Sequence, residues 1–289
     1  MRDLSYPPII LAAKTAFRLL GQRIEMTGTE HVAPFACYRC PFKHAGPESC
    51  GLACADMVSY VLEKEGDVAA VIAEPMRAIP YLPPPGYWRR VREACDRHGA
   101  LLIFDEIPTG LGKTGRFFAH EHDEVQPDMV VLGKALGGGI LPIAAVIARR
   151  DLDVAGGYAI GHYTHEKNPV TTRAALTTIN IIREEGLTER AAELGAYAME
   201  RLRNFGASCP AVGDVRGRGL LFGVELVSDR DAWRPDNALA ERVYYRCLEA
   251  GLSFKISQGN VLTLSPPMII ARADLERALG IVEQAILAG

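Results

Sequence analysis

The sequence predicts an α/β protein with a largely parallel central sheet, followed by a smaller C-terminal α+β portion. Two observations carry this reading. Over the first two-thirds of the chain, short and almost continuously apolar runs alternate with helix-length stretches, the pattern of strands joined by helical crossovers. Beyond about residue 205 the texture changes to strand, helix, strand, helix, with no run of successive crossovers. The boundary is placed at a long helical stretch, giving a first domain over 1–185 and a small C-terminal domain over 186–289.

The elements follow in order. "DVAAVIAEP" (67–75) is a near-continuous apolar run closing on a polar residue, which predicts a fully buried strand. "PPGYWRRVREACDRHG" (84–99) predicts a helix, with proline ahead of its start and Gly99 past its end. "ALLIFDE" (100–106) is the next buried strand, so 67–106 reads as a right-handed βαβ unit. "PDMVVLGK" (127–134) and "PIAAVIAR" (142–149) add two strands. The stretch 168–205 has helical periodicity, with Asn168 and Pro169 as its start signal, and predicts a long connecting helix. "GLLFGVEL" (219–226) and "NVLTLSPP" (260–267) then read as strands, and 237–251 and 272–289 as helices.

The 289 residues suffice for one large core or two domains. Lys and Arg number 32 against 35 Asp and Glu, with no basic block, so nothing marks a nucleic-acid partner. The longest apolar stretch, "ILPIAAVIA", is too short to span a bilayer and contains a proline. The opening "MRDLSYPPIILAAKTAF" is a poor signal peptide, because Asp3 and a proline pair precede its few apolar residues and Lys14 interrupts them; a cytoplasmic protein is expected. Cys37, Cys40, Cys50 and Cys54 are spaced C-x2-C-x9-C-x3-C. A structural zinc or two disulfides fit that spacing, but the middle gap is short for a zinc ribbon and nothing else suggests export. Reduced cysteines in a surface excursion, with no metal, are the expectation.

Ligands of open parallel sheets gather at the carboxyl ends of the strands. Three such ends carry an ionisable residue: Glu74, Asp105 and Lys134. Lys134 stands in "VVLGKALGGG", between a strand and three consecutive glycines. A carboxylate at one strand end and a lysine at another are what pyridoxal phosphate needs, the lysine for a Schiff base and the carboxylate to keep the pyridinium nitrogen protonated. An ordinary ion pair at a sheet edge is the alternative. "TGLGKTGR" (109–116) looks like a nucleotide loop, but the first glycine of that motif would fall at Ile107.

Several stretches, namely "VIAEP", "LLIFDEIPTGLGKTGRFFAHEH", "PDMVVLGKALGGGILPIAAVIAR", "NPVTTRAALTTINII" and "VRGRGLLFGVEL", resemble the class III (ω-type) aminotransferases of PLP fold type I, from about residue 31 to the C-terminus. The resemblance implies that 1–185 is a partial cofactor-binding large domain. It implies Lys134 as the Schiff-base lysine and proton shuttle, Asp105 as partner of the pyridine nitrogen, and Ile107 as the residue against one face of the ring. It implies that Thr164 reaches the cofactor phosphate of a neighbouring subunit, hence a homodimer with shared sites.

The departures from that family matter too. Pro108 replaces a glutamine that contacts the cofactor's phenolic oxygen. Thr263 stands where amino-acid transaminases place an arginine for the substrate carboxylate, leaving Glu74 without that arginine. "THEKNP" puts His165, Glu166 and Lys167 where small residues are usual. Losing a carboxylate clamp and gaining basic groups argues against a plain α-amino acid as substrate; a phosphonate- or phosphate-bearing amine that meets His165 and Lys167 is the alternative to simple interface ion pairs. The family's phosphate-cradling helix start and ring-stacking aromatic have no counterpart in this sequence, so the chain reads as N-terminally truncated. Three readings follow: an aminotransferase using an amine or amino acid and a carbonyl acceptor, a lyase eliminating ammonia or phosphate, and a catalytically silent fragment.

Overall fold

The computed structural model describes residues 28–46, 48–157, 164 and 168–289. Its regular elements are α1 (Ala53–Glu65), β1 (Ala70–Ala73), α2 (Tyr87–His98), β2 (Leu101–Asp105), β3 (Met129–Leu132) and β4 (Ala145–Ala148). There follow α3 (Pro169–Glu184), α4 (Leu187–Ser208), β5 (Val212–Arg218), β6 (Leu221–Asp229), β7 (Arg234–Pro235), α5 (Asn237–Glu249), β8 (Lys255–Ser257), β9 (Val261–Leu264) and α6 (Arg272–Leu287). Two sheets result. The first has the order β1-β2-β3-β4, with β1, β2 and β3 parallel and β4 antiparallel to β3. The second is antiparallel, in the order β5-β6-β9-β8, with β7 on β6. Pro34–Gly289 groups as one unit and the residues before it as another, of which 28–33 carry no regular element. The predicted α/β class, with a largely parallel first sheet, is what the chain adopts.

Local signals explain the boundaries. Helix α2 ends at Gly99, which takes the left-handed conformation (φ 70°) and lets the chain turn straight into β2. The buried side of α2 is Tyr87, Trp88, Val91, Ala94 and Cys95, a helical spacing that lies over the sheet. Trp88 meets Phe104 of β2 edge-on at 4.7 Å between ring centroids, and its indole N–H donates to Pro75 O at 2.8 Å. That bond fixes the chain immediately after Glu74. Helix α3 opens at Asn168, whose side chain accepts from Val170 N at 2.9 Å, with Pro169 as first helical residue.

Two expectations need correction. The strands of the first sheet are not buried on both faces. Leu102, Phe104, Val130 and Leu132 are buried, but the alternate positions Ile103, Asp105, Met129 and Val131 are only partly so, and Ile72 and Val146 are each 63% exposed. The run is apolar on both faces, yet among the described residues only one face is covered. Nor is 168–205 one helix: Gly186 turns left-handed (φ 60°) and separates α3 from α4.

The larger core belongs to the second sheet. Phe222, Val224, Leu226 and Leu262 meet Ala191, Leu194, Ala198 and Leu202 of α4, Val243 and Cys247 of α5, and Leu275, Leu279 and Val282 of α6. No helix among the described residues is long and apolar enough to cross a membrane.

Candidate functional site

The carboxyl ends of β1, β2 and β3 lie side by side, and Asp105 is in register with Val131, three positions before Lys134. Asp105 closes β2 on the partly open face, and its Oδ1 accepts from Ile107 N at 3.0 Å. Ile107 in turn faces the end of β3: a Cβ on Gly133 would stand 3.3 Å from Ile107 Cγ2. Lys134 is exposed, begins a short 3-10 turn (Lys134–Gly137), and has φ 42°, a left-handed conformation that costs a non-glycine residue roughly 1–2 kcal/mol. Such strain at a strand end aims a side chain where the regular path would not.

Glu74 ties the three ends together electrostatically. Burial pushes its carboxyl above the usual carboxylate range; the Ala78 N–H opposes this, the Asp105 charge adds to it, and Arg77 and Lys134 pull it back. The three predicted strand-end groups therefore share one neighbourhood. The remaining candidates are placed differently. Thr263 lies in β9, buried, between Gly223 and Lys255 in register, and its Oγ1 donates to Ser257 Oγ at 2.9 Å. No hydrogen bond joins it to Glu74, Asp105 or Lys134 among the described residues. Thr164 is an exposed turn residue, and His165 and Lys167 lie outside the described residues.

Glu106 was not foreseen. It follows Asp105, so it points the other way, and it is buried at 1% exposure. Its carboxylate accepts from Ala119 N (2.6 Å), His120 N (2.9 Å) and His120 Nδ1 (2.7 Å). That anchors the 119–122 turn beneath the sheet and leaves Asp105 as the carboxylate on the open side. The signal was in "FDE": two consecutive carboxylates at a strand end cannot share a face. Asp128 likewise braces the strand starts, accepting from Leu102 N and Arg92 Nη1 at 2.7 Å each and from Arg149 Nη1 at 2.6 Å.

The "GLGKTG" stretch is a clasp between the sheets. Leu220 N donates to Lys113 O at 2.9 Å, Lys113 Nζ donates to Pro266 O, and burial lowers the Lys113 ammonium to about 8.

The four cysteines also converge. Cys37, Cys40, Cys50 and Cys54 line one cavity of about 10 Å³ with Ala36, Pro41, Gly46 and Pro84. Burial, then Cys50 and Cys40, hold the Cys37 thiol above its usual range; burial, then Cys37 and Cys50, push Cys54 up to about 11. All four are reduced thiols, with Cys37, Cys40 and Cys50 half-buried and Cys54 buried.

Residues 22–286 match the family Aminotransferase class-III. The chain belongs to the class III aminotransferases. These enzymes depend on pyridoxal phosphate, and their fold is PLP fold type I. Among its relatives, the (R)-1-hydroxy-2-aminoethylphosphonate ammonia-lyase of Vibrio splendidus is 42% identical over 90% of the chain and 57% of that enzyme. The leucine/methionine racemase of Thermococcus litoralis is 42% identical over 89% of the chain and 59% of that enzyme. A Bacillus anthracis aminotransferase of known structure superposes with a TM-score of 0.84 at 32% identity, covering 92% of the chain and 63% of that structure. This class III chain thus spans less than two thirds of the proteins it matches.

Proposed function

We propose that the chain acts as a pyridoxal-phosphate-dependent aminotransferase, moving an amino group from an amine or amino acid to a keto acid or aldehyde. The observation behind this reading is the shared neighbourhood of Lys134, Asp105 and Glu74 at three adjacent parallel strand ends. The residues suit the cofactor. Ile107 N–H occupies one Asp105 oxygen, which leaves the second for a ring nitrogen. Lys134 is the amine for the aldehyde, and Ile107 offers an apolar face for the ring. When bound, pyridoxal phosphate supplies an electron sink for the substrate's α-carbon. Asp105 would hold the proton at the ring nitrogen, and Lys134 Nζ would carry the proton between substrate and cofactor carbons. Thr164 would reach the phosphate held by a second copy, so the working form is a cytoplasmic homodimer. In this reading 1–185 is the partial cofactor domain and 186–289 the small domain.

A second reading, a lyase on an amino-phosphonate or phospho-amine, is favoured by Thr263, a neutral and already hydrogen-bonded residue where amino-acid transaminases carry an arginine. Similarity to the phosphonate ammonia-lyase points the same way.

Absorbance separates these from a silent chain. The protein incubated with pyridoxal phosphate should gain a band near the visible edge that borohydride abolishes, and Lys134→Ala should lack it and lose activity by on the order of 10²–10⁴-fold. A parent protein without the band sinks the proposal. Product analysis then decides: a transaminase needs a keto acid, whereas a lyase releases ammonia or phosphate without one.

A further inference from the structure

The loop that leaves β1 carries a cation with no acceptor of its own. Arg77 follows Glu74 by three residues, and its backbone N–H donates to Tyr81 O at 3.1 Å, closing the 77–81 loop. The side chain is half-buried, with its guanidinium carbon 5.5 Å from the Tyr81 ring centroid. Among the described residues, every other buried or half-buried arginine gives its guanidinium to an oxygen. Arg216, 4.0 Å from the same ring centroid, and Arg39 are both taken by the buried Glu225. The Arg77 guanidinium has neither an ion pair nor a hydrogen bond among the described residues. The nearby Glu74 carboxylate is turned onto the Ala78 N–H instead. A ring face orients a guanidinium but leaves its five N–H donors without acceptors, which is costly once water is partly removed.

The place of this loop in the fold says what the acceptor is. Pro80 packs on β6, where a Cβ at Gly223 would stand 2.7 Å from Pro80 Cγ. Gly223 and Thr263 are paired in register and so share a face, and the loop lies over the face that carries Thr263. Thr263 brings no charge there, and its hydroxyl is bonded to Ser257. At the far end of the loop Tyr81 donates its hydroxyl to Gln258 Oε1 at 2.7 Å, just past β8. At the near end is Glu74, whose carboxyl responds to Arg77, Asp105 and Lys134 alike. The loop is thus pinned between the strand-end cluster and the second sheet, with the fork of Arg77 unspent. A guanidinium fork matches the oxygens of a carboxylate or a phosphonate through two parallel N–H bonds.

We infer that Arg77 is a specificity-determining residue that receives the carboxylate or phosphonate of an acidic substrate amine. The inference rests on the proposed Schiff-base chemistry for what happens to the amino group. Arg77 donates N–H bonds to the oxyanion and leaves the proton transfers to Lys134. A residue that holds substrate equally before and during reaction shows in KM and not in kcat.

Two measurements separate its failure from that of the cofactor reading. The first needs neither turnover nor pyridoxal phosphate: the full chain is titrated calorimetrically with methylphosphonate and, separately, with acetate. The parent should bind at least one of them. Arg77→Met should weaken that binding roughly 10- to 100-fold, and Arg77→Lys should recover part of it, since the charge remains without the fork. Tighter methylphosphonate assigns phosphonate-bearing amines, and tighter acetate assigns carboxylate-bearing ones. The second measurement adds pyridoxal phosphate and compares 2-aminoethylphosphonate, β-alanine and the uncharged propylamine. Arg77→Met should raise KM for the acidic amines while kcat, the borohydride-sensitive band, the melting temperature and the KM for propylamine hold; a merely structural role would move them together. A parent chain that binds neither anion overturns the assignment, as does Arg77→Met that binds them as the parent does. A missing band beside intact, Arg77-dependent anion binding strikes the cofactor reading and leaves the anion site standing.

Discussion

Asp105 and Glu74 occupy neighbouring strand ends and differ in what burial asks of them. Asp105 shares one oxygen with the Ile107 amide, and the other is the proposed anchor for the ring nitrogen. A charge-assisted hydrogen bond contributes about 1.5–3 kcal/mol, so Asp105→Asn should release pyridoxal phosphate roughly 10- to 100-fold more readily in equilibrium dialysis. Unchanged retention would remove Asp105 from the ring. Glu74 holds its proton more tightly in the folded chain than in the unfolded one, chiefly because it is buried. The folded state therefore binds more protons, and this group's contribution to stability falls as pH rises from the ordinary carboxylate value toward the raised one. Glu74→Gln lacks that loss. Its melting temperature should gain on the parent's across that window, and parallel curves would rule burial out as the cause. The residue types at the strand ends were legible because ionisable side chains rarely close apolar runs without a task. The burial of Glu106 and the capture of the Thr263 hydroxyl by Ser257 were not, since both depend on partners that only the turn at 119–122 and the pairing of β8 with β9 bring alongside.

At the level of elements, the contact between α4 and the turn between β5 and β6 is the tightest test of the packing. A Cβ at Gly195 would stand 2.2 Å from Gly219 O, and one at Gly219 would stand 2.4 Å from Thr114 C. Alanine suits a helix interior better than glycine by about 1 kcal/mol. The clash is with backbone, which cannot swing aside, so Gly195→Ala should instead destabilise by about 1–3 kcal/mol in chemical denaturation. A more stable variant would show that α4 and this turn are not in contact. Helix α2 and the start of α3 could be placed from sequence, because proline, asparagine and glycine mark those ends; the end of α3 could not. Strand β5, "VGDVRGR", could not: it is polar and rich in glycine, and its order comes from pairing with β6 along its length. Helix α1 gives equally little warning, since Leu52 caps it without a side-chain hydrogen bond.

For the whole molecule, the decisive feature is the first sheet, which the described residues cover on one face only. Ile72, Ile103 and Met129 form one row across it, and Val131 and Val146 another, all on the face that carries Asp105. Apolar rows this open draw partners or dyes. The chain should therefore bind a hydrophobic dye strongly, and Ile72→Thr with Val146→Thr should at least halve the signal while the melting temperature holds within a few degrees. An unaltered signal would place the dye, and the open surface, elsewhere.

The sequence by itself determined the α/β class, the order of most elements, and the lysine and carboxylate standing at strand ends, because periodicity and end signals are local properties of the chain. The tertiary structure decided which face of the sheet is covered, which of two adjacent carboxylates is buried, where the 168–205 helix breaks, and that two separated cysteine pairs meet at one void. Those outcomes depend on long-range packing, in which a side chain's surroundings come from residues far away along the chain.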